Sequence, residues 1–396
     1  MKKILAIVLV LTMVFALCAC ATKEEPKDST PPASSPNNSS APPASPDASD
    51  DDNKDDAPAA GGTIGYVTDD VDHQARDPYK IVYFNYRPTN VTQQVTAALE
   101  KLGAAYNFTI EQLTANGDSD AYINNLTTIL IKEPDGLIID ITQELAPRVS
   151  EICSEYDTPA ICIFNKAVDA DGHAIIPSIA IDQFVNGYTQ MAHLMSVYKD
   201  YWGDIDTSEI ALIVLDWSSN MDLSMRGEGA LAKWKEEFGD QTNYYGDTAA
   251  SSLSPDAGYN AINSIISAHP EVKYWFIAAT VEDIALGGSR AVEALGKTDC
   301  VLMTSSGAAT LPGEWDSGYD GVWIANYAVT PFQYAGLATF GLFALIEGRA
   351  TIETLWPEHF ADGDKAARFM VETSMMTLAN YKEFTNAVIR SFNMEP

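Results

Sequence analysis

Beyond residue 80 the chain alternates short, nearly unbroken apolar runs with longer stretches whose apolar residues recur every three or four positions. Runs of the first kind, at 80–86, 108–113, 136–141 and 160–164, read as strands buried on both faces. The intervening stretches 89–102, 121–131 and 145–156 read as helices, and Ile123, Leu126 and Leu130 give the second of them its apolar stripe. After a long helix predicted at 182–201 the alternation resumes, with strands at 210–215, 244–246, 273–277 and 300–304. Strands buried on both faces and joined by helices imply a parallel sheet. The α/β pattern occurs twice, so the expected architecture is two doubly wound parallel-sheet lobes. Residues 63–180 would form the first lobe, completed by 326–359, and 181–325 the second, completed by 360–396. Chain crossings are expected near 178–182, 324–331 and 360–372.

The stretch 269–296 shows one such unit in detail. An apolar strand runs into a short polar loop, and Thr280, Glu282 and Asp283 are placed to cap and charge the next helix. Gly287 and Gly288 would let that helix lie close to a sheet, and Gly296 would stop it.

The N-terminal part follows a different pattern. Lys2 and Lys3 precede the apolar run 4–17, and Leu17-Cys18-Ala19-Cys20 follows. The run is too short for a stable spanning helix and reads as a lipoprotein signal, residues 1–20, with Cys20 the diacylated residue of the mature chain. Residues 21–62 are rich in Pro, Ser, Ala and Asp, with almost no large apolar side chain, and read as a disordered acidic tether. The aspartate run at 50–56 has no rigid calcium-loop spacing.

The 396 residues carry a formal net charge of −31, which argues against nucleic acid and against direct adsorption to anionic lipid. Cys153, Cys162 and Cys300 remain outside the signal, in no metal-binding spacing, and are expected as free thiols. A nucleophile elbow, a zinc-protease helix and a phosphate loop are all missing, and the five histidines are scattered. Gly227 and Gly229 have dinucleotide-fingerprint spacing without the remainder of that motif.

His269-Pro270-Glu271-Val272-Lys273-Tyr274-Trp275, Leu286-Gly287-Gly288 and Arg290-Ala291-x-Glu293-x-x-Gly296 together resemble the periplasmic (type I) sugar-binding proteins of ABC importers, most nearly their arabinose-binding branch. Further anchors are the segment 161–172, the helix 336–348 and Leu378-x-x-Tyr381-Lys382-Glu383-Phe384. The resemblance spans about 80–389. It implies two lobes joined by a three-crossing hinge, with a ligand enclosed between them. It also implies no cofactor, no metal and no chemistry on the ligand.

A sugar needs planar polar side chains for its hydroxyls and aromatic rings for its CH-rich face. Those groups should come from loops at the carboxyl ends of strands. The first strand offers Asn85, Tyr86, Arg87 and Asn90; the fourth offers Phe164 and Asn165. In the second lobe Trp217 follows the first strand, Glu282 and Asp283 the central one, and Ser306 the last. The resemblance places Arg226 at the family's sugar-contacting arginine and Ser306 at a binding asparagine. It also shows departures: Tyr86 stands in place of a lysine, Phe164 and Asn165 in place of an aspartate pair, and Val281 in place of an asparagine. The expectation is therefore a monomeric, extracytoplasmic, lipid-anchored protein that captures a small carbohydrate and passes it to an ABC permease in the membrane. Two alternatives remain open at this stage, a ligand-sensing subunit for a membrane receptor kinase and a small-glycoside hydrolase.

Overall fold

The computed structural model describes residues 71–217, 221–239, 243–245 and 252–396. The expected signal, Cys20, the tether and the loop residues Ser218, Ser219 and Asn220 lie outside them.

The first sheet is built from β1 (Tyr79–Asn85), β2 (Phe108–Thr114), β3 (Gly136–Ile139), β4 (Ala160–Phe164), β5 (Ser178–Ala180) and β11 (Arg368–Met370), in the order β11-β5-β4-β3-β1-β2. The second contains β6 (Ile210–Leu215), β7 (Asn243–Tyr245), β8 (Tyr274–Ala279), β9 (Val301–Ser306), β10 (Trp323–Tyr327) and β12 (Met375–Thr377), in the order β12-β10-β9-β8-β6-β7. Every pairing in them is parallel except that of β12 with β10. The two-lobe parallel α/β architecture is thus present.

Helices α1 (Asn90–Tyr106), α2 (Ser119–Leu130) and α3 (Ala146–Glu155) connect the first strands. Helices α4 (Gln183–Trp202), α5 (Met221–Phe238), α6 (Pro255–Ala268), α7 (Glu282–Ala294) and α8 (Leu311–Asp316) serve the second sheet, and α9 (Pro331–Ile346) and α10 (Tyr381–Arg390) close the chain. Starts are set by side-chain caps that satisfy orphan N–H groups: Thr89 for α1, Asp118 for α2, Asp182 for α4, Ser254 for α6 and Thr330 for α9. Helix α9 is buried almost all round because it packs on α1, on the strands β3 to β5 and on α10. Among the described residues no helix is long and apolar enough to cross a membrane.

Three segments link the sheets. Ile181 and Asp182 lead from β5 into α4, 328–330 lead from β10 into α9, and 371–374 lead from β11 to β12. They run side by side: Val371 N donates to Ala180 O at 2.8 Å, Ala328 N donates to Ser374 O at 3.1 Å, and the Thr373 hydroxyl donates to Ala328 O. The expected boundary at 359/360 needs correction. Strand β11 pairs with β5, so the first sheet keeps the chain through Met370. Its three half-buried residues carry no pattern that marks them as a strand.

The residues before β1 cover the edge of the first lobe. Arg76 donates to the carbonyls of Tyr106 and Asn107 and lies 3.6 Å above the Tyr79 ring. Among the described residues Cys153, Cys162 and Cys300 form no disulfide; Cys153 and Cys162 are buried and Cys300 is half-buried.

The start of α7 also departs from expectation. Val281 is the N-cap, with no side-chain cap, and the Thr280 hydroxyl is buried without a hydrogen-bond partner. Gly288 does face the sheet, against Met303 and Leu215, but Gly287 serves a helix crossing instead. A Cβ on Gly287 would lie 1.7 Å from the carbonyl oxygen of Pro255 in α6.

Candidate functional site

A cavity of about 460 Å³ opens where the strand-end loops of the two sheets face each other. The first lobe contributes Tyr86, Arg87, Asn90, Phe164 and Asn165, and the second Trp217, Arg226, Glu282, Asp283 and Ser306. Asn85 is the one predicted residue absent from the lining. It shares the sheet face of Ile81 and Tyr83, is fully buried, and leaves both amide atoms without a hydrogen-bond partner.

Arg226 is positioned by the crossing of α4 and α5. A Cβ on Gly187 would fall 1.7 Å from the Arg226 carbonyl oxygen, and one on Gly229 would fall 2.0 Å from that of Phe184, so glycine at both places lets the backbones touch. The glycines of this segment are therefore packing residues, not a dinucleotide motif. The guanidinium donates to Gln183 Oε1 at 2.7 Å and to the Thr280 carbonyl, which fixes its plane at the cavity wall.

Phe164 occupies the left-handed region, at φ 72°, which is unusual for an aromatic residue. Its ring meets Tyr334 edge to face at 4.6 Å, and both line the cavity. Opposite them Arg87 places its guanidinium 5.4 Å from the Trp217 ring, a cation–π contact that spans the two lobes.

Asn165 donates its amide to Ile141 O at 3.0 Å and to Asp140 Oδ1 at 3.4 Å. Burial pushes the Asp140 carboxyl up to about 7, against the opposing pull of the Tyr86 backbone amide. Burial also raises Asp283. Ser306 accepts from Asn186 Nδ2 at 2.7 Å, and Gln190 in turn donates to Asn186 Oδ1 at 2.7 Å. This buried amide ladder on α4 holds the Ser306 hydroxyl oxygen at the cavity wall.

Glu282 lies at the helix start and in the lining, as expected, and is also tied to a distant turn. It is only 6 % exposed, and its two oxygens accept from the amides of Ala309, Thr310 and Leu311 and from Asn326 Nδ2. Burial raises its carboxyl to about 7, with the three backbone amides opposing.

Several lining residues escaped the sequence reading. Asp140, Thr142, Gln143 and Glu144 all follow β3, and Tyr334 comes from α9. The signal for the first group was an apolar run ending in Asp-Ile-Thr-Gln-Glu; Tyr334 had none, since it lies inside an apolar helix. Neither histidine, cysteine nor lysine occurs in the described lining. Away from the cavity, Asp169, Asp171 and His173 converge, but the Asp169 carboxylate already accepts the backbone amides of Asp171 and His173 and shapes that turn.

The family profile described as periplasmic binding proteins and sugar binding domain of LacI family matches residues 79–306. The chain belongs to this family. Membership agrees with the two lobes, the three crossings and the cleft between them, and makes the protein a member of a binding family. Among curated proteins, the L-arabinose-binding periplasmic protein of Escherichia coli strain K12 is 23% identical over 201 residues, covering 50% of this chain and 60% of that protein. The match thus spans less than two thirds of that relative's length.

Solved structures share the fold at low identity. An ABC transporter periplasmic solute binding protein from Actinobacillus succinogenes, with bound D-allose, superposes at a TM-score of 0.62 with 14% identity, covering 78% of this chain and 100% of that one. A Mycobacterium smegmatis structure in complex with β-D-fucofuranose gives a TM-score of 0.63 at 12% identity, covering 80% and 98%.

Proposed function

We propose that the protein is an extracytoplasmic solute-binding lipoprotein that captures a monosaccharide between its lobes and presents the closed form to an ABC permease. One observation carries this reading. Flat polar groups and aromatic faces from both lobes, with Arg226 held rigid among them, converge on one cavity at a three-stranded crossing. Hinged capture of this kind is the general mechanism of periplasmic binding proteins. The structures that share the fold and hold D-allose and β-D-fucofuranose support a monosaccharide ligand.

The aromatic lining from Tyr86, Phe164, Trp217 and Tyr334 favours a sugar with an extended apolar face, such as a deoxy or methylated one. Each arabinose-contacting group replaced by an apolar one would leave a ligand hydroxyl unpaired, at about 1–3 kcal/mol. In this reading Cys20 carries the lipid anchor, as its signal-like sequence context suggests. Its test is palmitate labelling, which should disappear in Cys20→Ser; labelling that persists overturns the anchor.

A thermal-shift screen against aldoses, ketoses and their deoxy derivatives tests the ligand class. A sugar at a hundred times its dissociation constant adds about 2.7 kcal/mol to stability. Absence of any shift across the panel at millimolar concentration overturns carbohydrate capture.

A further inference from the structure

The Glu282 carboxylate has no capacity left for a ligand. Oε2 accepts from the amides of Ala309 at 2.7 Å and Thr310 at 3.0 Å, and Oε1 accepts from the amide of Leu311 at 3.0 Å and from Asn326 at 2.8 Å. Asn326 is itself oriented, because its Oδ1 accepts from Trp323 Nε1 and Ser305 Oγ, each at 2.7 Å. Gly307 makes room for this arrangement. Its φ is 128°, and a Cβ there would sit 2.7 Å from Glu282 Oε2.

The turn so gripped belongs to the second lobe, yet it is bonded to the first. Asn90 Nδ2, at the start of α1, donates to Thr310 Oγ1 at 2.9 Å and to Ala309 O at 3.4 Å. Gln94 donates to the same Ala309 carbonyl and, at 3.3 Å, to Asn90 Oδ1. Asn90, expected to contact ligand, therefore has its amide engaged across the cleft. Exposed amide bonds of this kind contribute little if their partner must first be ordered, since fixing a backbone residue costs about 1–2 kcal/mol.

We propose that Glu282 is a positioning residue: by holding the 309–311 turn rigid it makes that turn a clasp, which Asn90 and Gln94 engage to fasten the lobes together. The proposal rests on the reading that the lobes open and close about a ligand, but its test needs no sugar. The full chain carrying 5-fluorotryptophan reports closure through the ¹⁹F resonance of Trp217, which faces Arg87 across the cleft and is assigned by its loss in Trp217→Phe. Gln94→Ala should lower the closed-to-open ratio about five-fold, from the net worth of a hydrogen bond. Glu282→Gln puts an NH₂ against N–H donors and should lower the ratio as much, and the double variant should fall no further.

Equal closure in all variants, or independent losses in the double variant, overturns the clasp. A structural role alone would lower melting without coupling to Gln94. Should Glu282→Gln not fold, hydrogen exchange of the wild-type Ala309 and Thr310 amides decides the first half of the argument: slow exchange supports the grip, and exchange at free-turn rates overturns it. A blank sugar panel would sink carbohydrate capture while leaving this result untouched.

Discussion

Gly187→Ala should damage both stability and ligand binding, although alanine is the better helix former. The new Cβ would lie 1.7 Å from the Arg226 carbonyl oxygen and 2.6 Å from its carbon. Carbon and oxygen in contact normally stay about 3.3 Å apart, so α4 and α5 must separate by roughly 1.5 Å. The obstacle is backbone and cannot swing aside, which puts the cost at the upper end of the 1–3 kcal/mol usual for overpacking. Replacing glycine in a helix returns about 1 kcal/mol. The net loss is about 2 kcal/mol, seen as a fall in Tm of roughly 3–6 °C.

Because the displaced carbonyl is that of Arg226 itself, the guanidinium cannot keep both Gln183 and the Thr280 carbonyl. Affinity for whichever sugar the screen identifies should fall about ten-fold, the worth of one such bond. Gly313→Ala is the control. Nothing lies within 4 Å of its Cβ position in α8, so that variant should melt at or slightly above the wild-type temperature. Calorimetry and sugar titration read both effects. Gly187→Ala melting together with wild type would refute the close-crossing argument.

Arg226→Ala should abolish the sugar-induced thermal shift and also lower the ligand-free Tm, because it leaves Gln183 and the Thr280 carbonyl without this donor; an unchanged titration removes Arg226 from the site. Asp140 titrates in the opposite sense to a salt-bridged carboxylate. Its folded value is raised from 3.8 to about 7, so its contribution is fully present below about pH 4 and is lost as pH rises through 7. Melting profiles of Asp140→Asn and wild type should therefore diverge in the variant's favour between pH 4 and 8, and parallel profiles would show an ordinary carboxyl.

Much of the fold was legible because long elements repeat their period many times. The strands β1, β4, β6 and β8 fell within one or two residues of expectation at most ends. Strands β5, β11 and β12 have three residues each, too few for any period, and only their pairing partners reveal them. Loops at strand ends supply most of the lining; Asp140 to Glu144 are hidden in sequence because the apolar run predicts a strand through 141, whereas β3 ends at Ile139. Asn85 failed for a local reason. Alternation along β1 puts it on the side of Ile81 and Tyr83, pointing into the core two residues before Arg87 reaches the cleft. The grip of Glu282 on the 309–311 backbone has no sequence signal, because a helix-start carboxylate looks the same whether it faces water or a turn 27 residues downstream.

The order in which the pieces of the first lobe are made has its own consequence. Its sheet and helical cover are finished by α9 and β11, which come after the whole of the second sheet except β12. A nascent chain still lacking Arg368–Met370 has no partner for the edge of β5, and one lacking α9 leaves a broad apolar face of β3 to β5 bare. The first lobe can therefore complete its sheet and its apolar cover only once the chain through Met370 is available, so its final packing must follow synthesis of nearly all of the second.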